Sequence, residues 1–150
     1  MPTSTILQPK DGETINVLGD IMRILVDSRT SGGKVVVFEM TTQPGVGPPL
    51  HRHNREDEFF YVIEGSLKFW VDGNESIVAA GGSVFAPKGS VHAFKNTGKV
   101  PARAIVQCTP GGIEVPFRIC HELGLKGQVN PQTVTEAMAQ YGVDIMGPPL

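Results

Sequence analysis

The feature that most constrains the fold is a succession of short apolar segments separated by glycine and proline turns. No stretch of helical periodicity separates these segments, and Asp72-Gly73 joins two of them as a two-residue hairpin. Short strands at this spacing predict an all-β antiparallel barrel or sandwich. The predicted strands cover residues 21–26, 35–42, 59–63, 67–71, 76–79, 83–86, 91–95 and 102–108.

The chain of 150 residues is expected to form a single domain over residues 1–150. The barrel is predicted over about 13–118, and a C-terminal helical extension over about 119–150. Asn130 and Pro131 are typical of a helix N-cap and first turn. Apolar residues at helical spacing follow from Val134, and Gly142 ends the pattern. This helix is expected to pack outside the barrel or on a partner subunit.

Composition excludes several classes of function. The net charge of −2 leaves no basic surplus for a nucleic-acid partner. No apolar run approaches the roughly 18 residues of a membrane span, and no signal peptide is recognisable, so we expect a cytoplasmic protein without a membrane partner. The cysteines, Cys108 and Cys120, are expected to be free thiols in a reducing compartment.

Three of the four histidines lie in two short segments and carry the chemistry of the sequence. His51 and His53 are two residues apart, so both imidazoles point to one face of an extended chain. Glu58 lies at odd spacing from His53, and residues 54–57 must turn or bulge before it can return to that face. His92 comes from a separate strand. Three imidazoles and a carboxylate suit one divalent transition metal, which the sequence leaves open among Fe, Mn, Ni, Co, Cu and Zn.

The spacing of these residues resembles the two motifs of the cupin superfamily. The first motif matches Gly45, His51, His53, Glu58 and Gly65. The second motif matches Gly81, Pro87, Gly89, His92 and Asn96. All ten positions occur at the expected intervals. The resemblance implies a double-stranded β-helix, also called a jelly-roll barrel, with one metal held inside by the three histidines and Glu58.

The segment from Gly47 to Gly65 is similar, more narrowly, to the small single-domain cupins described as quercetinase-like. That resemblance implies a metal-dependent dioxygenase that acts on a small aromatic or enolic substrate, and it suggests a homodimer. Two alternatives stay open: a non-redox metal-dependent isomerase or cyclase, and a barrel that binds a small ligand without catalysis.

The surroundings of the metal site can also be predicted from strand parity. Glu58 is expected to bind the metal, either as a ligand alone or with a second, catalytic role as a general base. The acidic neighbours Glu56 and Asp57 are expected to form a solvated rim. Inward-facing aromatic and apolar side chains are expected to line a substrate pocket: Phe38, Met40, Phe60, Val62 and Phe94.

Overall fold

The computed structural model describes residues 1–150 and consists mainly of antiparallel strands. The strands are β1 (Glu13–Val17), β2 (Asp20–Val26), β3 (Val36–Thr42), β4 (Pro49–His53), β5 (Asp57–Glu64), β6 (Ser66–Val71), β7 (Asn74–Ala79), β8 (Ser83–Ala86), β9 (Val91–Lys95), β10 (Ala102–Thr109) and β11 (Val143–Pro149). The helices are α1 (Ser28–Ser31), α2 (Glu114–Leu125) and α3 (Pro131–Ala139). None of the helices combines the length and the apolar character that crossing a membrane requires.

The strands form two sheets, which confirms the predicted all-β jelly roll. Sheet A has the order β1-β2-β3-β10-β5-β8, and sheet B has the order β11-β4-β9-β6-β7. Every strand pair is antiparallel. Such an arrangement buries one face of each sheet against the other.

Alternation along the strands places the core between the sheets. In β3, Val36, Phe38 and Met40 are buried, whereas Glu39 faces outward and lies near Arg23 and Arg103. In β5, Phe60 and Val62 are buried while Phe59 and Tyr61 are exposed. The period of two in the sequence is therefore the period of burial in the fold.

The predicted hairpin at Asp72-Gly73 is present between β6 and β7. Asp72 and Gly73 both have positive φ, 47° and 89°, as a type I′ turn requires. The Asp72 side chain also accepts a hydrogen bond from the Val91 amide at 2.9 Å. The turn thus ties the hairpin to the start of β9, the strand that carries His92.

The C-terminal region differs from the predicted helical extension over residues 119–150. Helix α2 begins at Glu114, within the predicted barrel, and packs against β1. Helix α3 has the expected cap, with the Asn130 side chain accepting from the Thr133 amide. After Gly142 the chain forms β11, which pairs with β4 at the edge of sheet B. The extension is therefore part helix and part strand, and its last strand completes a sheet.

Candidate metal centre and its cavity

The four predicted ligands come from both sheets and meet between them. His51 and His53 lie on β4 and His92 lies on β9, and His51 and His92 are direct cross-strand partners in sheet B. Glu58 lies on β5 in sheet A. Of the two expected alternatives, a turn or a bulge, the chain turns: residues 54–56 carry it from one sheet to the other.

The ligand atoms of these four side chains all lie within 4.8 Å of one another. Glu58 Oε2 lies 3.1 Å from His53 Nε2 and 2.9 Å from His92 Nε2. The ring centroids of His51 and His92 are 4.4 Å apart. His53, Glu58 and His92 are buried, and His51 is half-buried. The sequence spacing has thus brought three imidazoles and one carboxylate to a single point.

The other ring nitrogens are turned away from that point. His51 Nδ1 lies 2.8 Å from the Pro49 carbonyl oxygen, and His92 Nδ1 lies 3.4 Å from the Ser90 carbonyl oxygen. A carbonyl oxygen only accepts, so the first contact places a proton on His51 Nδ1 and leaves Nε2 with its lone pair. Backbone carbonyls at the outer nitrogen are a common way to orient histidine ligands of metals.

Glu56 supplies the outer contact for His53 and corrects the prediction of a solvated acidic rim. It is only 4% exposed, and its Oε2 lies 3.4 Å from His53 Nδ1. Neither atom makes a well-formed hydrogen bond. Asp57, in contrast, is exposed and accepts from the Lys88 amide. Because β5 starts at Asp57, Glu56 still belongs to the crossing segment, which turns its side chain inward.

The electrostatics of the cluster set the charge of each ligand. Burial, with the neighbouring imidazoles, lowers the pKa of His51 to about 3, so this ring is neutral. Burial also opposes a charge on His53, but the carboxylates of Glu58 and Glu56 outweigh it and raise the His53 pKa to about 9. Burial would raise the pKa of Glu58, yet the imidazoles of His53 and His92 hold it well below its usual range. The protein alone thus forms a buried ion pair between His53 and Glu58.

These residues fit a divalent transition metal. Four N and O donors converge in a buried site, and the outer nitrogens of His51 and His92 face backbone carbonyls. His53 Nδ1 faces Glu56 Oε2, and these two atoms remain without a formed hydrogen bond. Buried polar atoms without partners are uncommon unless a site has a role that needs them. The same donors serve several ions, so they do not distinguish among Fe, Mn, Ni, Co, Cu and Zn.

A cavity of about 50 Å³ adjoins the metal site, and the empty space reaches about 550 Å³ when the open solvent at its mouth is counted. Of the five predicted pocket residues, Phe38, Met40 and Phe94 line it. Phe60 and Val62 are buried but lie outside its wall, and the Phe60 ring packs 6.3 Å from that of His92. Strand parity predicts which side chains face inward, but the cavity occupies only part of the interior.

Much of the wall comes from residues that the sequence did not single out. They belong to the first two strands and the turn between them, the start of β4 and the loop before it, the two larger helices and β11; all but Pro48 and Pro49 are remote from the motifs in the chain. Alternation and the helical stripe mark several of them as apolar, but neither signal says that they face the metal site. The cavity is lined by these residues in addition to His51, His53, Glu58 and the three named above: Val17, Leu18, Asp20, Met22, Pro48, Pro49, Phe117, Val134, Met138, Val143 and Ile145.

Several residues that are not candidate metal ligands make contacts that stabilise the fold. Arg52 points away from the metal site and pairs with Asp144 of β11 at 2.7 Å. Asn96 donates to the Thr42 carbonyl and accepts from the Gly98 amide. His121 Nδ1 accepts from the Asn16 amide at 3.0 Å. Cys108 and Cys120 are free, as predicted, and both are buried.

Comparison with known proteins agrees with this architecture. The Cupin_2 family, described as "Cupin domain", matches residues 38–108, which include all four candidate ligands. The sugar phosphate isomerase of the cupin superfamily from Silicibacter pomeroyi is 25% identical, with a TM-score of 0.61 over 70% of this chain and 75% of that chain.

Two curated relatives are similar in sequence over part of the chain. The tetracenomycin polyketide synthase protein TcmJ of Streptomyces glaucescens is 30% identical over 61% of this chain. The mannose-1-phosphate guanylyltransferase of Escherichia coli is 31% identical over 50% of this chain. The match covers 62% of TcmJ and 16% of the guanylyltransferase.

Proposed function

We propose that this chain, of which residues 38–108 match the cupin domain family, is a metal-dependent dioxygenase that acts on a small aromatic or enolic compound. The observation that carries the proposal is the convergence of His51, His53, His92 and Glu58 beside a largely apolar cavity. Four protein donors leave an octahedral ion two positions for other ligands. The cavity supplies the space in which a substrate can reach them.

The three histidines and Glu58 would hold the metal. When bound, a divalent transition metal would polarise an enolate oxygen of the substrate and support its reaction with dioxygen. The chain itself supplies neutral imidazole at His51 and a carboxylate at Glu58, which are the protonation states that metal ligation needs. Binding of the ion would release the proton that His53 holds in the ion pair with Glu58.

The walls of the cavity favour an uncharged, flat substrate. Phe38, Phe94 and Phe117 offer aromatic surface, and methionine and aliphatic side chains fill the rest. Neither lysine nor arginine lines the cavity, whereas a phosphate group is normally bound by such side chains. The cavity therefore supports an aromatic or enolic substrate rather than a sugar phosphate. Its apolar walls would limit the contact of bulk water with the reacting carbon.

Glu58 is the candidate general base. Both imidazole contacts use its Oε2 atom. We expect the carboxylate to accept the proton of a substrate hydroxyl as the substrate binds. The low pKa of Glu58 keeps it in the carboxylate form, which can accept a proton, and makes it a weak base.

The proposal is tested by oxygen uptake. The protein would be loaded separately with Fe, Mn, Co, Ni, Cu and Zn, with metal content measured by mass spectrometry, and supplied with flavonols and small enediols. We expect uptake with at least one redox-active ion, both atoms of oxygen-18 gas in the products, and loss of both metal and activity in His51→Ala/His92→Ala. Absence of uptake with every metal and substrate would contradict a dioxygenase.

The alternative is a non-redox isomerase or cyclase. It is favoured by one observation, the 25% identity to a solved protein described as a sugar phosphate isomerase. Such an enzyme would convert its substrate without oxygen and with zinc alone. Anaerobic turnover of the same compounds by the zinc-loaded protein would therefore support this alternative against the dioxygenase. Stoichiometric binding without turnover in either atmosphere would favour a ligand-binding barrel.

A further inference from the structure

One charged side chain in the cavity wall has no part in the proposed metal centre. Asp20, the first residue of β2, is 2% exposed and lines the same cavity as His51, His53 and Glu58. It is outside the cluster of potential ligands. Carboxylates are seldom buried this completely without a compensating partner.

The compensation that the protein offers to Asp20 is incomplete. Thr42 Oγ1 donates a hydrogen bond to Asp20 Oδ1 at 2.6 Å, and Oδ2 accepts none from the protein. None of the ion pairs that lysine and arginine side chains form involves Asp20. Burial accordingly raises the pKa of Asp20 to about 7, so the group can accept or donate a hydrogen bond near neutral pH. A carboxyl oxygen that meets no donor of the protein and belongs to a residue lining a cavity is available to a partner within that cavity.

The neighbours of Asp20 are apolar. The cavity wall near Asp20 includes Val17 at the end of β1, Leu18 in the turn that follows, and Met22 in β2. A single polar group in such a wall distinguishes ligands sharply, because a ligand without a matching group would leave the carboxyl unpaired. Asp20 is thus placed to select among ligands that the metal site alone would accept equally.

We propose that Asp20 is a specificity-determining residue whose carboxyl group hydrogen-bonds to a hydroxyl of the substrate, away from the oxygens that would face the metal. The substrate class is therefore an enolic or phenolic compound with a second, separate hydroxyl group. This inference rests on the proposed use of the cavity as a substrate site.

The test compares ligands that differ by one hydroxyl. Allomaltol and kojic acid form a short pair with the same metal-chelating group, and 3-hydroxyflavone and its 4′-hydroxy derivative form a long pair. Binding to the zinc-loaded protein would be measured by calorimetry without oxygen, so that no turnover intervenes. In at least one pair we expect the hydroxylated member to bind about tenfold more tightly, as a hydrogen bond to a buried carboxyl group implies.

Two variants assign that preference. Asp20→Leu keeps the shape of the side chain without its oxygens, and we expect it to abolish the preference while leaving affinity for the unsubstituted member within about twofold. Thr42→Val removes the neighbouring hydroxyl and should retain the preference. If Asp20→Leu does not fold, Asp20→Asn replaces it, with an expected reduction to about threefold because a neutral amide makes a weaker bond.

The outcomes separate the two levels of the proposal. Equal binding of both members of each pair to the wild type, or a preference that survives in Asp20→Leu, would overturn the role of Asp20 and leave the substrate cavity standing. Failure of all four compounds to bind the zinc-loaded wild type would instead count against the proposed function, and the inference would fall with it.

Discussion

At the scale of single residues, His53 is held between two carboxylates, Glu58 on the metal side and Glu56 on the other. Outer carboxylates of this kind orient a histidine ligand and make it more basic, and their loss typically costs 10–100-fold in metal affinity. We expect Glu56→Gln to weaken zinc binding by about that factor, measured by competition with a chromogenic chelator. Glu64→Gln is the control, because Glu64 is exposed and lies at the far end of β5, the strand that begins directly after Glu56. Equal affinity in both variants would show that Glu56 has no such role.

Asp20 makes a second prediction, on the pH dependence of stability. Its pKa is about 7 in the folded protein against 3.8 for a free side chain, because of burial. The folded state therefore binds the proton more tightly, and the stability this contributes is complete below about pH 4 and lost as the pH rises through 7.

Asp20→Asn should remove this dependence. Relative to the wild type, we expect its free energy of unfolding in urea to increase between pH 4 and pH 8, by on the order of 4 kcal/mol at most. Asp11→Asn, at an exposed residue, should give a curve parallel to that of the wild type. If the Asp20→Asn curve were parallel as well, the carboxyl of Asp20 would not be buried as described.

The sequence predicts the position of a residue where motif spacing determines it. It does not predict burial that depends on residues distant in the chain. The motif intervals predict that His51, His53, Glu58 and His92 can meet, and they do. Nothing local marks Glu56 as buried, because its burial follows from the crossing between sheets. Alternation would place Asp20 on one face of a strand without indicating that this face borders the cavity.

At the scale of elements, the loop that leads into β4 passes very close to β9. A Cβ atom added to Gly47 would lie 2.1 Å from the Phe94 carbonyl oxygen and 3.0 Å from the Lys95 Cα. This contact is with backbone, so neither strand can avoid it by turning a side chain. The register of His51 with His92 lies on the same two strands.

We therefore expect Gly47→Ala to lower the free energy of unfolding by about 1–3 kcal/mol and to weaken metal binding. Gly124→Ala is the matched control, because Gly124 lies in α2 and its added Cβ would meet only Val129 Cγ2, at 3.8 Å. That variant should be stabilised by about 0.5–1 kcal/mol. Equal destabilisation of both variants in urea would contradict the close approach at Gly47.

The elements show where sequence patterns are sufficient. Alternating segments and turn residues identify the central strands, and the Asn130 cap identifies α3. Strand β11 is not predicted from the sequence, because Gly147, Pro148 and Pro149 are typical of a loop and not of a strand. Proline is tolerated there since β11 is the edge strand of sheet B and needs donors on one side only.

At the scale of the whole molecule, the metal centre spans the two sheets, with Glu58 in sheet A and the histidines in sheet B. An ion bound there would connect the two sheets. Because it would bind the folded state and not the unfolded chain, it would stabilise the folded state. At zinc concentrations a hundredfold above Kd, we expect about 2.7 kcal/mol of stabilisation, or roughly 5–10 °C in Tm. A chelator should reverse the shift, and His51→Ala/His92→Ala should show none. An equal shift in that double variant would place the zinc elsewhere.

The homodimer that the resemblance suggests stays a prediction. Size-exclusion chromatography with light scattering measures it directly, and a mass of 16.1 kDa would correspond to a monomer.

The residues around the cavity come from separate segments of the sequence, and this separation affects how the protein can evolve. All four candidate ligands fall within residues 51–92, while the wall opposite is drawn largely from residues 17–22 and 117–145. The candidate metal ligands and much of the proposed substrate wall are thus encoded in different stretches of the gene. An exchange of the flanking stretches would change which substrates the cavity admits and leave the metal ligands as they are. Mutations that accumulate within those stretches would have the same effect.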